Sequence, residues 1–233
     1  MSDAYVSTFD RPIIEQSEQV RARFIVRTYG HLFGAIAAFV LIEVGLFQSG
    51  MARQIAEAML GTSWLLVLGA FMVVSWLASR FAGTSNSMPV QYAALGGFVL
   101  AEALIFVPLL YIADATAPGV IASAAVVTLA GFGGLTTIVF WTRKDFSFMG
   151  AAIKFAMVGA LLAILGGALF GFHLGTWFSV GMVVVAGMAI LHDTSNVLHH
   201  FPANRHVAAS LQLFASVALM FWYVLRLFMS SRD

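Results

Sequence analysis

Long apolar stretches, each broken by a few polar or helix-breaking residues, alternate along nearly the whole chain. Seven of them approach or exceed the roughly 20 residues that a helix needs to cross a hydrocarbon core about 30 Å thick. They cover residues 29–47, 60–82, 92–112, 120–141, 148–171, 177–192 and 208–228. The separators, at 48–57, 83–89, 113–119, 142–147, 172–176 and 196–207, hold polar and turn-forming residues and are too short to divide the chain into domains. The pattern predicts an all-α, polytopic integral membrane protein: a single seven-helix membrane domain over 28–233, preceded by a cytosolic N-terminal tail, 1–27. That tail carries Asp3, Asp10, Glu15 and Glu18 and lacks a short apolar core followed by small residues. It therefore does not read as a secretory signal peptide, and sorting falls to the first span.

Composition agrees. Of the 233 residues 61% are hydrophobic and 10% charged, with a mean hydropathy of +0.92. A soluble domain carries roughly 25% charged residues because water must wet its surface. This chain cannot cover a globule of its own size with polar side chains, so membrane lipid is the expected surroundings. A net charge of +1 without a basic block gives no case for nucleic acid. The absence of cysteine excludes disulfides, thiolate metal sites and thiol nucleophiles.

Lys and Arg set the expected orientation. With the N-terminus in the cytosol, Arg11, Arg21, Arg23, Arg27, Arg80, Arg143, Lys144, Lys154 and Arg205 lie inside, and Arg53, Arg226 and Arg232 outside. The C-terminal pair goes against the rule, so six spans plus a re-entrant segment stay open as an alternative. Gly30/Gly34 and Gly167/Gly171 have the four-residue spacing that lets helix backbones approach closely. Pro108, inside the third span, removes a backbone hydrogen bond and predicts a kink.

In lipid, polar residues are the informative ones: a carboxylate at bilayer depth must face a cavity, find a partner or take up a proton. Asp193 closes the sixth span in the run His192-Asp193-Thr194-Ser195-Asn196, with Asn196 one turn on and sharing its face. Either it is a carboxylate at the cytosolic boundary held by neighbours such as His192 and Asn196, or it is an ion-pathway or proton-sensing group. Glu102 lies nearer the middle of its span, and either bonds a neighbouring helix as the acid or has a function. Glu43 lies toward the outer end of span one, where the nearby interface accounts for it. Lys154 and Arg226 sit near span ends, where their stems can snorkel. His192, His199, His200 and His206 gather around the last separator without a metal-ligand spacing. A loop that responds to pH fits them better than a metal site. There is no H-E-x-x-H, G-x-S-x-G or P-loop, so neither catalysis nor a cofactor is expected.

The loop Thr142-Arg143-Lys144-Asp145-Phe146-Ser147-Phe148-Met149-Gly150 resembles the signature loop of the Bax inhibitor-1 (transmembrane Bax-inhibitor motif) family. Arg27-Thr28-Tyr29, Asp193-Thr194-Ser195-Asn196-Val197 and Trp222-Tyr223-Val224-Leu225-Arg226-Leu227 follow the family's other motifs in order, from about residue 20 to 230. The resemblance implies six helices around a central seventh, and a pH-sensitive leak of cations, above all calcium. In that better-studied branch an acid closing span six shares a proton with an acid in span seven. Asp193 matches the first, whereas Ser216 stands where the second belongs, a departure that removes the repulsion between paired carboxylates. The acid-Thr-Ser-Asn run with Ser216 looks more like the bacterial YccA-like subgroup, whose members are linked to a membrane-anchored AAA protease. Two functions are therefore expected of a bacterial inner-membrane protein: a pH-responsive calcium leak through Asp193, Ser216 and Glu102, or the modulation of such a protease.

Overall fold

The computed structural model describes residues 11–85 and 87–230. Among these residues eight α-helices follow a 3-10 turn at Ile13–Glu15: α1 Glu18–Gln48, α2 Met51–Leu60, α3 Trp64–Thr84, α4 Met88–Thr116, α5 Val120–Thr142, α6 Met149–Phe170, α7 Gly175–His199 and α8 His206–Ser230. All except α2 are long and apolar enough to cross a membrane, which gives the seven spans of an all-α polytopic membrane protein. In a bilayer every backbone polar group must be satisfied inside its own segment, and the helix does this at each step.

Helix ends differ from the apolar boundaries where polar residues still find partners. α1 begins at Glu18, so the second part of the predicted tail is helical. Ahead of it the Ile13 backbone N–H donates to the Phe201 carbonyl at 2.8 Å, and the Ile13 side chain is buried. The segment from residue 11 is thus strapped against the α7–α8 turn, while residues 1–10, with Asp3 and Asp10, and the C-terminal Arg232 lie outside the described residues. α7 runs on to His199, seven residues past the predicted limit, because its polar run is satisfied by α8 and the α5–α6 loop. α2, in a separator by hydropathy, is a short helix carrying an exposed Arg53–Glu57 pair at 2.7 Å. α4 continues unbroken through Pro108.

α8 is the centre of the bundle. It packs against α7, α1, α5, α4 and α3, and 72% of its apolar window is buried, against 6% for α6, which leans on α7. Aromatic rings tie the core: Phe106 of α4 meets Phe39 of α1 at 5.2 Å and Trp222 of α8 at 5.0 Å between ring centres. Phe214 of α8 meets both Phe39 and Phe98. The glycine expectation holds in part. At Gly167 a side chain would collide with the Phe172 carbonyl, so the α6–α7 turn needs that glycine, whereas Gly30 and Gly34 face open space and join nothing within the chain. The outer surface is apolar, with Trp141 and Trp177 both 86% exposed near helix ends, as interfacial anchors are.

Truncating Phe106 to Ala removes the ring that joins three helices, and a cost on the order of 3 kcal/mol is expected. Phe155, 82% exposed on α6, should tolerate the same change within about 0.5 kcal/mol. Reversible unfolding in detergent or bilayers checks both values, and equal losses would contradict the packing described.

Candidate functional site

The sidedness of the spans places the ends of α3, α5 and α7, and the starts of α1, α4, α6 and α8, on one face of the bundle, called here the motif face. A cleft of 840 Å³ enters the bundle between α3 and α6, which stand on either side without packing against one another. α3 lines it with Trp64, Leu68, Phe71, Ser75 and Ser79. Fifteen residues at 1.5 Å each make this stripe about 22 Å deep. α8 supplies the floor, through Gln212, Ser216, Trp222, Tyr223 and Arg226. Of the acids and bases singled out in the sequence, Glu102, Lys154, His192, Asp193 and Arg226 line it.

Asp193 is 4% exposed and held across the α7–α8 interface. The Ser216 hydroxyl donates to its Oδ2, and the Gln212 side-chain amide donates to its Oδ1 at 2.5 Å. Ser216 and Gln212 are one turn apart on α8, so a single helical face presents both donors to one carboxylate. Hydrogen bonds to a charged group contribute roughly 1.5–3 kcal/mol each. Ser216 was reachable from the sequence by counting along the last helix. Gln212 was not singled out, although a lone amide one turn from Ser216 in an apolar helix was the available signal.

His192 and Asn196 do not bond Asp193, contrary to expectation. The Asn196 amide donates to His192 Nε2 at 3.0 Å, and His192 Nδ1 faces the Phe146 carbonyl at 3.4 Å. They serve the loop, because residues one and three places from Asp193 point round the helix from it toward α6. Gly150 makes that approach possible, since a side chain there would sit 2.9 Å from the His192 ring.

The loop itself is latched to the end of α7. Arg143 ends α5 in the left-handed conformation, φ 50°, and turns the chain, leaving Arg143 and Lys144 exposed. Asp145 Oδ1 accepts the Ser147 backbone N–H at 2.8 Å and the Ser195 hydroxyl at 3.2 Å, and Oδ2 accepts from His200 Nε2 at 2.9 Å. The Phe146 N–H donates to Ser195 Oγ at 2.9 Å. The Ser147 N–H above all holds the Asp145 carboxyl well below the usual carboxylate range; desolvation opposes it, and the Ser147 and His200 side chains add to the lowering. Ser195 and His200 are functional partners of the loop that sequence reasoning missed, because they lie about 50 residues from Asp145.

The remaining acids behave differently from one another. Glu102, 6% exposed, lines the cleft without a hydrogen bond or ion pair among the described residues. Glu43 is also 6% exposed, and both carboxylate oxygens lack a partner. It is buried by the packing of α1, so the expectation of an interfacial carboxylate is corrected. No group of three or more His, Asp or Glu that could hold a metal ion occurs among the described residues.

A seven-span helical bundle with a central last helix, a buried acid clamped between its last two spans and a latched polar loop defines a class of polytopic membrane protein. The family model for the inhibitor of apoptosis-promoting Bax1 matches residues 21–233, and the chain belongs to the Bax inhibitor-1 family. It is similar to an uncharacterized protein of Pseudomonas aeruginosa, 26% identical with 91% of this chain and 96% of that one covered. It is also similar to Bax inhibitor 1 of Schizosaccharomyces pombe, 27% identical over 93% of this chain and 79% of that protein. The Golgi anti-apoptotic protein of vaccinia virus is 30% identical over 60% of this chain and 58% of its own.

The latch yields a pH prediction with a definite sign. A carboxyl whose folded pKa lies below its unfolded value adds stability above that unfolded value, about 4, and loses it as pH falls further. Amide hydrogen exchange at Phe146 and Ser147 should therefore be slow at neutral pH and speed up below about pH 4 beyond the intrinsic rate. Asp145→Ala should show the fast exchange at all pH values, and unchanged protection in that variant would contradict the latch.

Proposed function

We propose that this protein is a gated cation leak in a bacterial inner membrane, N-terminus in the cytosol, with calcium as the ion to be tested first. The carrying observation is the Asp193 carboxylate, buried at the floor of a membrane-deep cleft and clamped by Ser216 and Gln212. Opening means parting α7 from α8 at this clamp. Two charge-assisted bonds contribute about 3–6 kcal/mol together, and about 3 kcal/mol already keeps the open fraction near one in a hundred. A cation entering the cleft competes with the two donors for the carboxylate, which couples occupancy to opening.

The clamp uses neutral donors where the two-acid branch shares a proton. Protonation of Asp193 removes the charge from the bonds and so loosens them; leak should rise as pH falls. The other titratable groups facing the cleft are Glu102 on α4, Lys154 on α6, His192 on α7, and Tyr223 and Arg226 on α8, with His173 in the α6–α7 turn. The test is calcium entry into liposomes across pH. Asp193→Asn should flatten the pH profile, and Ser216→Asp should steepen it by restoring a pair of interacting carboxyls. No flux above empty liposomes at any pH would end the proposal.

A second reading, a membrane interaction protein that modulates a membrane-anchored AAA protease, is favoured by one observation: Arg143 and Lys144 stand exposed on the motif face beside a loop held rigid by Asp145. Crosslinking through a probe at the exposed Phe148 position should then recover a protease subunit, and Arg143→Ala with Lys144→Ala should abolish the adduct without changing calcium flux.

A further inference from the structure

The acid midway along α4 takes no part in the clamp. Glu102 lies 14 residues from each end of α4, Met88–Thr116, so it is about 21 Å from either end. It is 6% exposed, has no hydrogen bond or ion pair among the described residues, and lines the cleft. A carboxylate so placed carries a cost of several kcal/mol unless protonated or met by a counter-ion. Its surroundings say which counter-ion. Phe98 and Phe106 sit one turn before and after it on the same face of α4, and both line the cleft. Trp222 lies 5.0 Å from Phe106 between ring centres, Trp64 stacks on Trp222 at 6.1 Å, and Phe71 lies 6.4 Å from Phe98. One buried carboxylate thus lines the same cleft as a chain of aromatic rings.

We propose that Glu102 and these rings form a binding site for a lipophilic organic cation, a bulky monovalent ammonium or phosphonium that enters between α3 and α6. Three features select that class. A calcium ion takes six to eight oxygen ligands, whereas Glu102 stands alone and both oxygens of Asp193 are occupied by Ser216 and Gln212. An organic cation sheds water readily and is attracted by the faces of Trp and Phe. The 840 Å³ cleft is of the size that encloses small organic ligands, and an entrance between two spanning helices, α3 and α6, is one that a cation partitioned into lipid could use. The competing positive charges are placed away from the site. Lys154 is five residues from the start of α6 and Arg226 four residues from the end of α8, so the two lie toward opposite faces while Glu102 holds the middle.

The site needs the cleft but not the leak, and binding measured without flux separates the two. The probe is tetraphenylphosphonium, titrated into the purified full chain in nanodiscs and followed by equilibrium dialysis and tryptophan quenching, with protein-free nanodiscs as the partition control. Saturable binding of one cation per chain is expected, whereas tetraphenylborate, of the same shape and opposite charge, should show no saturable binding. Glu102→Gln should weaken binding at least tenfold with unchanged circular dichroism and gel-filtration profile, and Asp193→Asn should retain it. Should Glu102→Gln fail to fold, Trp222→Leu gives the same reading through the aromatic wall. Binding no different from partition into protein-free nanodiscs, equal affinity in the folded Glu102→Gln or Trp222→Leu variant, or loss in Asp193→Asn alone would each overturn the assignment.

Discussion

A carboxylate in hydrocarbon must face a cavity, find a partner or take up a proton, and in this molecule the meeting of Asp193 with Ser216 and Gln212 orders much else. α8 can occupy the middle of the bundle because its mostly apolar surface carries two hydrogen-bond donors, Gln212 and Ser216, one turn apart, and both face the same partner. α7 can stay helical through this polar run because His192, Asp193, Ser195 and Asn196 each find a partner. Asp193 turns to α8, whereas Ser195 and His192 turn to the loop between α5 and α6. Had those groups been left bare, the end of α7 would have to reach water. Its polar sequence would then mark a loop, which is how hydropathy alone reads it.

The same constraint divides the acids into kinds. Asp193 is bound on both oxygens and belongs to a joint between helices. Asp145 lies outside the membrane and is held by a backbone amide, a serine and a histidine, so it fixes a loop to a helix end. Glu102 has no partner among the described residues and lines an open cleft. Glu43 is bound by nothing and enclosed. A single rule about the cost of buried charge therefore separates a clamp, a latch, a site that faces an empty cleft, and a group whose burial has no partner to explain it.

Much of this architecture is legible along the chain. Seven apolar stretches translate into seven spans because hydrocarbon thickness sets a length that short polar breaks interrupt. The signature loop, the acid that closes the sixth stretch and the serine opposite it are readable as motifs in order. Relations between helices are not. Gln212 and Ser216 share a face by their spacing, but nothing in that spacing says which helix the face meets. The pairing of Asp145 with Ser195 and His200 spans about 50 residues and follows from how α5, α6 and α7 turn back on one another. The short helix α2 carries too many polar residues to register as a span, and too few residues for its own periodicity to stand out. Gly30 and Gly34 show the opposite limit, since a spacing suited to helix contact is present where no helix of this chain makes one.

The claim on which the rest depends is that Asp193 joins α7 to α8 through donors on one turn of the last helix. A double-mutant cycle between Asp193→Asn and a combined Ser216→Ala, Gln212→Ala change, measured by reversible unfolding in a bilayer, tests it directly. The account predicts a coupling of about 1 kcal/mol or more, because the cost of removing the donors should largely vanish once the charge is gone. Losses that simply add would mean that the two helices are held by packing alone.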